Sequence, residues 1–548
     1  MLNQKGSFLL LLILAFCLSI LYFGCANRQL PQGGPKDVTP PKLLKASPPN
    51  MTRNFSAKII QLDFDEFFKL SNQYTEITIS PTPAKQPEYI TKKKSLIIKL
   101  KDTLEKNTTY VINFGKAIAD VNAGNIIKNF TYVFATGAHI DSLSISGSVI
   151  NNQTQEREKD ATVMLFTLKQ DSLLFGKKKP TVFATTDSAG NFSLNNLHPD
   201  DYRLYALKEA SPNKIYDNDD ELIAFSTKTI HLTKDTSDIR LKLFKQTPEK
   251  FRLPIHQFAP DGSMVFTFNR PLDKPSVYIP FPAGYNEKQI TFISKTKDTA
   301  IVYNRSMDFD SIRVSILDNN KPLDTVSLRK GKKESFVRTV SFQYNTDGYG
   351  KLKPGSALQL KSSLPIESFE PTLIELKEDS TEITNFTLIR DTADSRRFTL
   401  NYRWKPKAEY LLSLGEGAFT DIYGDKNKRL QKRFGLDKDE NYGHLILAIT
   451  VPDTGKQYIV ELLDEKKALL HSDAIKKNTT LAYKDSYLTG KYRIRVIYDD
   501  NKNGKWDSGN VKRRKQPENI WVDETIITLR PNWEQTIPIA IPKEPVTP

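Results

Sequence analysis

Asp499, Asn501, Asn503 and Asp507 stand at alternate positions in the run Asp499-Asp-Asn-Lys-Asn-Gly504-Lys505-Trp-Asp507. A hard divalent cation takes oxygen ligands at this spacing: side chains at positions 1, 3 and 5, a glycine at 6 for the sharp turn, a main-chain carbonyl at 7 and a further oxygen at 9. Lys505 would supply the carbonyl. The run is therefore the start of a calcium loop, with Ca2+ as a structural ion. Position 12 is Asn510 where a bidentate Glu is usual. With only two charged side chains, affinity is expected in the range of about 10⁻⁴–10⁻³ M. A second stretch in the same register, Glu209-Ala-Ser211-Pro-Asn213-Lys214-Ile-Tyr-Asp217, reads as a degenerate copy in which Lys214 replaces Gly and Glu209 replaces Asp. Both stretches also read as Asx-rich turns, whose side-chain oxygens bond the chain's own N–H groups. Under either reading the loop stiffens its surroundings, and no open catalytic metal position is implied.

Cys25 is placed for covalent chemistry. It follows the apolar run Phe8–Phe23 and Gly24, with Lys5 ahead of the run. A helix needs about 20 apolar residues to span a bilayer; this run is shorter and fits the core of a secretory signal. Cleavage after Gly24 would leave Cys25 as an N-terminal acceptor for lipid, and two acyl chains anchor a protein stably. Tyr22 and Phe23 depart from the Leu and the Ser or Ala usual at those places, so an ordinary signal peptide and an anchor helix remain alternative readings. Cys17 leaves with the signal, so no pair remains for a disulfide.

No other constellation carries chemistry. His139, His198, His231, His256, His444 and His471 are scattered, with no His-Glu-x-x-His. No Gly-x-Ser-x-Gly elbow or Walker-type loop is present. Carboxylates are abundant, yet nothing singles out a glycosidase-like pair. Trp404, Trp506, Trp521 and Trp533 suit core or turn packing better than a sugar platform. No catalytic residue is assigned and no enzyme is expected. The net charge of +15 is spread over separate runs such as Lys92–Lys94, Lys177–Lys179 and Lys512–Lys515, as solvated faces and turns are. No nucleic-acid partner is expected.

The elements that must position these residues are strands. Short alternating segments such as Ala57–Phe64, Ser95–Leu100 and Tyr110–Phe114 recur between turn signals, and long helical patterns are absent. The chain reads as all-β, a series of tandem β-sandwiches. The expected divisions are a signal at 1–24, a Pro/Gly-rich tether at 25–41, and sandwiches at 42–137, 143–245, 250–345, 350–437 and 443–542. An internal duplication shows in two pairs of segments. Thr109-Tyr110-Val-Ile-Asn-Phe-Gly and Ala119-Asp120-Val-Asn-Ala-Gly124 are echoed by Glu409-Tyr410-Leu-Leu-Ser-Leu-Gly and Thr420-Asp421-Ile-Tyr-Gly424. Residues 42–137 resemble the bacterial Ig-like domain of many exported proteins, S-layer proteins included. Residues 250–345 read as a divergent Ig-like sandwich and 350–437 as another.

Ile145-Ser-Gly-Ser-Val149, Ala161–Phe166, Gly190-Asn-Phe192 and Tyr202-Arg-Leu-Tyr-Ala206 resemble the transthyretin-like sandwich of carboxypeptidase regulatory-like domains. Gly443–Leu447, Tyr458–Leu462 and Leu488–Val496 repeat the pattern. That resemblance implies a non-catalytic module.

The whole arrangement, including Pro-Gln-Gly-Gly-Pro-Lys-Asp in the tether, resembles exported lipoproteins of Bacteroidota-type bacteria. This implies an outer-membrane lipoprotein: a rod of sandwiches acting as scaffold or interaction subunit of an envelope complex, such as an accessory of outer-membrane protein assembly or export. Its expected partners are the membrane, through the lipid, and other outer-membrane or envelope proteins. The alternative is a cell-surface lipoprotein that binds glycans or peptides. Ala26-Asn-Arg-Gln29 is neutral to basic, unlike acidic surface-export tags, which weighs against surface display and leaves both membrane faces open.

Overall fold

In a computed structural model of the chain, residues 37–211, 213–331 and 335–544 are described. Cys25, the signal and most of the tether lie outside them. Among the described residues no helix is long and apolar enough to cross a membrane. The regular structure is nearly all strand, arranged as tandem β-sandwiches. Two compact units form by internal contact. One runs to Ser142 and includes Thr181–Phe183; the other holds Leu143–Pro180 and Ala184 onward.

In the first unit, period-2 alternation builds the sheets. Ile60, Leu62 and Phe64 point inward from the strand Ile59–Phe64 while the residues between face out. The order Leu43–Ser47, Ile59–Phe64, Ser95–Lys99, Glu88–Lys92 makes one antiparallel sheet. Thr78–Ser80, Thr109–Asn113 and Thr131–Ala135 make a second. Their inner faces share one core, with Ile60, Leu96 and Ile98 from the first and Ile79, Ile112 and Phe134 from the second.

The second unit contains several such cores. Met264, Phe266, Val302, Val314 and Ile316 centre one, and Leu360, Ile366, Phe398, Leu412 and Phe419 another. The segments around 143–245 and 442–541 share a topological mark: in each, the first and last long strands pair in parallel. Leu143–Asn151 lies beside Thr236–Lys245, and Tyr442–Thr450 beside Glu534–Ala540. Ten further strand pairs among the described residues of these two segments are antiparallel.

The strand Gln457–Leu463 is buried at every position, as a strand covered on both faces must be. One face joins the core with Leu447, Val496 and Ile539. On the other, Ile459 packs with Ile497 and Ile520 beneath Trp506 and Val522. The loop after Asp499 thus returns over the outer face of the sheet that launches it.

The duplication between 109–125 and 409–425 is physical as well as textual. Tyr110 Oη accepts the Glu105 N–H at 2.9 Å, and Tyr410 Oη accepts the Lys405 N–H at 2.7 Å. Tyr410 also donates to Glu378 Oε2 at 3.1 Å. Asp120 then caps its turn through the N–H groups of Ala123, Gly124 and Asn125, and Asp421 through those of Tyr423 and Asp425. Removing either phenol oxygen strands a main-chain donor beside a buried ring, at a cost of about 1–3 kcal/mol. Tyr110→Phe and Tyr410→Phe are expected to lower stability in urea titrations by that order, with Tyr410→Phe the larger because it loses two bonds.

Candidate cation loop and the segment it positions

Asp499 ends the strand Gly490–Asp499, and none of its surface is exposed. A buried carboxylate needs hydrogen bonds to its oxygens, and this one has three. Oδ1 accepts the Asn503 N–H at 3.1 Å; Oδ2 accepts the Gly504 N–H at 2.7 Å and the side-chain amide of Gln457 at 2.6 Å. Gln457 faces Asp499 across the ladder. Asn501 Oδ1 accepts the Asn503 N–H at 3.0 Å, and Asn503 Oδ1 accepts the Lys505 N–H at 2.7 Å. Gly504 takes φ +75°, the left-handed conformation that favours glycine. Asp507 Oδ2 closes the loop by accepting from the amides of Asn501 and Asn503. Alternation around Gly504 therefore brings Asp499, Asn501, Asn503 and Asp507 into one turn, as their spacing requires.

The twelfth position is not part of the turn. The Asn510 amide donates to Glu249 Oε1 at 3.0 Å, and its oxygen accepts the Arg513 N–H at 2.9 Å. The third carboxylate beside the loop comes from Glu518, which counting along the loop misses. Its Oε1 accepts the Asp500 N–H at 3.0 Å and its Oε2 the Asp507 N–H at 2.9 Å, and only 6% of it is exposed. Burial raises its pKa above the ordinary glutamate value. Its main-chain carbonyl accepts the Trp506 indole N–H at 3.1 Å, which holds the ring over Ile459 and Ile497.

The first loop repeats this bonding. Glu209 Oε1 accepts the N–H groups of Asn213 and Lys214 at 2.8 and 3.0 Å. Asn213 Oδ1 accepts the Ile215 N–H at 2.6 Å, and its amide donates to Asp217 Oδ2 at 3.1 Å. Glu221 Oε2 takes the place of Glu518, accepting the N–H groups of Asp217 and Asn218 at 3.2 Å each. Lys214 occupies the glycine position at φ +64°, and Ser211 makes no hydrogen bond among the described residues. Burial raises the pKa of both Glu209 and Glu221. A signal for Glu221 and Glu518 existed in the sequence: each stands just before the strand that follows its loop, Leu222–Phe225 and Ile520–Val522.

Every donor in the second loop is oxygen, which fits a hard cation. The main hydrogen bonds, from the first acid to the turn N–H groups and from the second acid to the N–H groups beyond, form around a lysine in the first loop, so the turn geometry does not need an ion. Among the described residues no group of three or more His, Cys, Asp or Glu side chains stands close enough to hold a metal.

The loop also positions the segment after it. Residues 508–519 bond to the 143–249 region of the same unit, so these sandwiches do not meet only neighbour to neighbour as in a simple rod. Arg514 donates to Tyr205 Oη at 3.2 Å and to the Ser226 carbonyl, with its guanidinium 5.2 Å from the Phe225 ring centroid. Gln516 donates to the Phe225 carbonyl at 2.9 Å. The Val511 N–H donates to Gln246 Oε1 at 2.8 Å, and Asn152 donates to the Glu518 carbonyl at 3.1 Å. Gly509 sits so close that a Cβ there would lie 2.6 Å from Phe244 Cζ and 2.7 Å from the Lys515 carbonyl oxygen.

Residues 37–136 match the family model described as bacterial Ig-like domain. No curated protein matches the chain in sequence. Among solved structures the chain is similar to the Bacillus anthracis TIE protein, at 10% identity over 93% of this chain and 75% of that one, with a TM-score of 0.14. It is similar to the major pilin subunit of Bacillus cereus at 11% identity, over 73% and 99% of the two chains, with a TM-score of 0.13. An L,D-transpeptidase from Mycobacterium smegmatis is similar at 9% identity, over 27% and 77%, with a TM-score of 0.13. Likeness at these scores carries no functional argument.

Glu518 sets a pH dependence. Burial holds its pKa in the folded chain above the ordinary glutamate value of 4.5. Its contribution to stability is therefore fully present below about pH 4.5 and is lost as pH rises through the raised value. Glu518→Gln is expected to flatten the slope of unfolding free energy against pH above 4.5, measured by urea titration across a pH series.

Proposed function

We propose that this chain is a non-catalytic outer-membrane lipoprotein, anchored through Cys25, that serves as a scaffold or interaction subunit of an envelope protein complex. Accessory work in assembling or exporting outer-membrane proteins is one such role. The observation that carries the reading is the use made of the most polar buried loop. Its carboxylates are taken up in closing the turn, and the segment behind it joins two distant parts of the chain to each other. The apolar run ahead of Cys25 and the tandem sandwiches support the same reading. A cell-surface lipoprotein that binds peptides or glycans is the second reading, favoured by a cationic groove in the 143–245 segment.

In this proposal Ca2+, where bound, is held by Asp499, Asn501, Asn503, the Lys505 carbonyl and Asp507, and it stiffens the turn that carries the docking segment. The degenerate loop at Glu209, Ser211, Asn213 and Asp217 keeps its shape through hydrogen bonds alone. Calcium at about millimolar concentration is expected to raise the melting temperature over that in EDTA. Asp507→Asn is expected to abolish this rise while leaving the melting temperature in EDTA unchanged.

The anchor is tested in cells. The wild-type chain is expected to incorporate labelled palmitate, to fractionate with the outer membrane, and to bring down membrane proteins in fixed stoichiometry after mild detergent extraction. Cys25→Ser is expected to lose the label and leave the membrane fraction. A labelled Cys25→Ser chain, or a wild-type chain that purifies alone, would overturn the proposal.

A further inference from the structure

One sheet of the second unit is split. The strands Leu222–Phe225 and Thr236–Lys245 pair only through Leu222 with Lys245 and Ile223 with Phe244. Beyond that point they part. Ala224 and Phe225 continue along Ala206 and Tyr205, while Thr236–Lys245 continues beside Leu143–Asn151. The opening is a groove of about 460 Å³ with residues from 225–231 on one wall, residues from 236–242 on the other and Gln516 completing the lining, a volume in the range of ligand sites.

The wall at 236–242 offers main-chain groups. The Asn152 N–H donates to the Leu243 carbonyl, so Leu243 faces the neighbouring strand. By the period of two, Leu241 faces the same way, and Arg240 and Lys242 turn their N–H and C=O groups towards the groove. The ladder with Leu222–Phe225 does not reach them. Unpaired strand groups of this kind are a template for another strand.

The groove is also cationic. Lys228 and Arg240 are exposed, and among the described residues no carboxylate forms an ion pair with either. The Lys242 ammonium is bonded to Asn519 Oδ1 at 2.5 Å; burial and the nearby Arg240 lower its pKa, and Glu544 acts in the opposite direction. His231 is bonded to Asp201 Oδ1 at 2.6 Å. Asp238 is the only acid in the lining.

We infer that this groove binds one extended, acidic segment of a partner protein, which adds as a strand along Arg240–Lys242 and sets its carboxylates against Lys228, Arg240 and Lys242. Main-chain pairing supplies strand geometry and the cations supply selection for Asp and Glu. The inference goes beyond the scaffold role and does not need the lipid anchor, so its failure leaves that role standing.

The probe is a fluorescein-labelled decapeptide of alternating Glu and Thr, titrated with the full-length protein in mild detergent at about 0.15 M salt and read by fluorescence anisotropy. Binding is expected, with a loss of about tenfold or more in the double variant Lys228→Glu, Arg240→Glu. Both residues are exposed, and an unchanged melting curve confirms that the variant folds. The same peptide N-methylated at alternate residues keeps its charge and is expected to lose binding comparably, because strand pairing is blocked. No binding of the parent peptide, equal binding of the N-methylated peptide, or binding of a sulfated oligosaccharide in preference to both would overturn the inference.

Discussion

Two carboxylates withdrawn from water set the terms for much of the second unit. Asp499 is wholly buried and Glu518 nearly so. An ionised carboxylate in such a place is costly unless its oxygens are bonded. Gln457 and the N–H groups of Asn503, Gly504, Asp500 and Asp507 meet that need. Meeting it dictates the path of the chain. The turn must close around Gly504, Trp506 must lie over Ile459 and Ile497, and residues 508–519 must emerge where they can reach Tyr205, Phe225 and Gln246. The packing of Trp506 belongs to the same solution, since its indole bonds the Glu518 carbonyl while its ring covers apolar surface.

The two loops show what this solution requires and what it does not. Glu209 and Glu221 reproduce the bonding of Asp499 and Glu518, although Lys214 stands at the glycine position. An acid at the strand end, an Asx side chain inside the turn and a second acid before the next strand are therefore enough. What the later loop adds is length between its two acids. Its acids stand nineteen positions apart against twelve in the earlier loop, and Val511, Arg514 and Gln516 within that stretch bond to the earlier segment. A turn used only to connect strands in one copy has become a connector between copies in the other.

Much of the fold was legible in the sequence because burial on one face of a strand leaves a period of two, as in Ile59–Phe64. Gln457–Leu463 lacks that period and is still a strand; its outer face is covered by residues that arrive only after the loop, as the all-apolar stretch Tyr-Ile-Val hints. The near half of the loop was legible because alternation around Gly504 fixes which side chains converge. Its far half was not. Counting twelve positions selects Asn510, but the chain leaves the turn at Asp507 to follow the docking contact, and the third acid returns from Glu518. The contact of Arg514 with Tyr205 and Ser226 has no sequence signature, since a few polar bonds between remote segments leave no periodic mark. Lys512–Lys515 read as a solvated basic run. Arg514, however, is drawn inward by a carbonyl, a phenol and an aromatic ring.

The nature of that junction governs how it can open. A typical hydrogen bond contributes about 1 kcal/mol net, whereas stranding a buried partner costs about 1–3 kcal/mol. The bonds from Val511, Arg514 and Gln516 therefore stabilise the junction more by what their loss exposes than by their own strength. Lys242 makes the point most directly: its partner is the neutral Oδ1 of Asn519, whose Nδ2 amide donates to Glu544 Oε1. Moving Asn519 would take the hydrogen-bond acceptor from a partly buried ammonium and leave it to the longer-range attraction of Glu544. An interface made this way resists partial opening, because each broken bond leaves an unpaired group that raises the cost of the intermediate. The two segments are thus expected to move as one body.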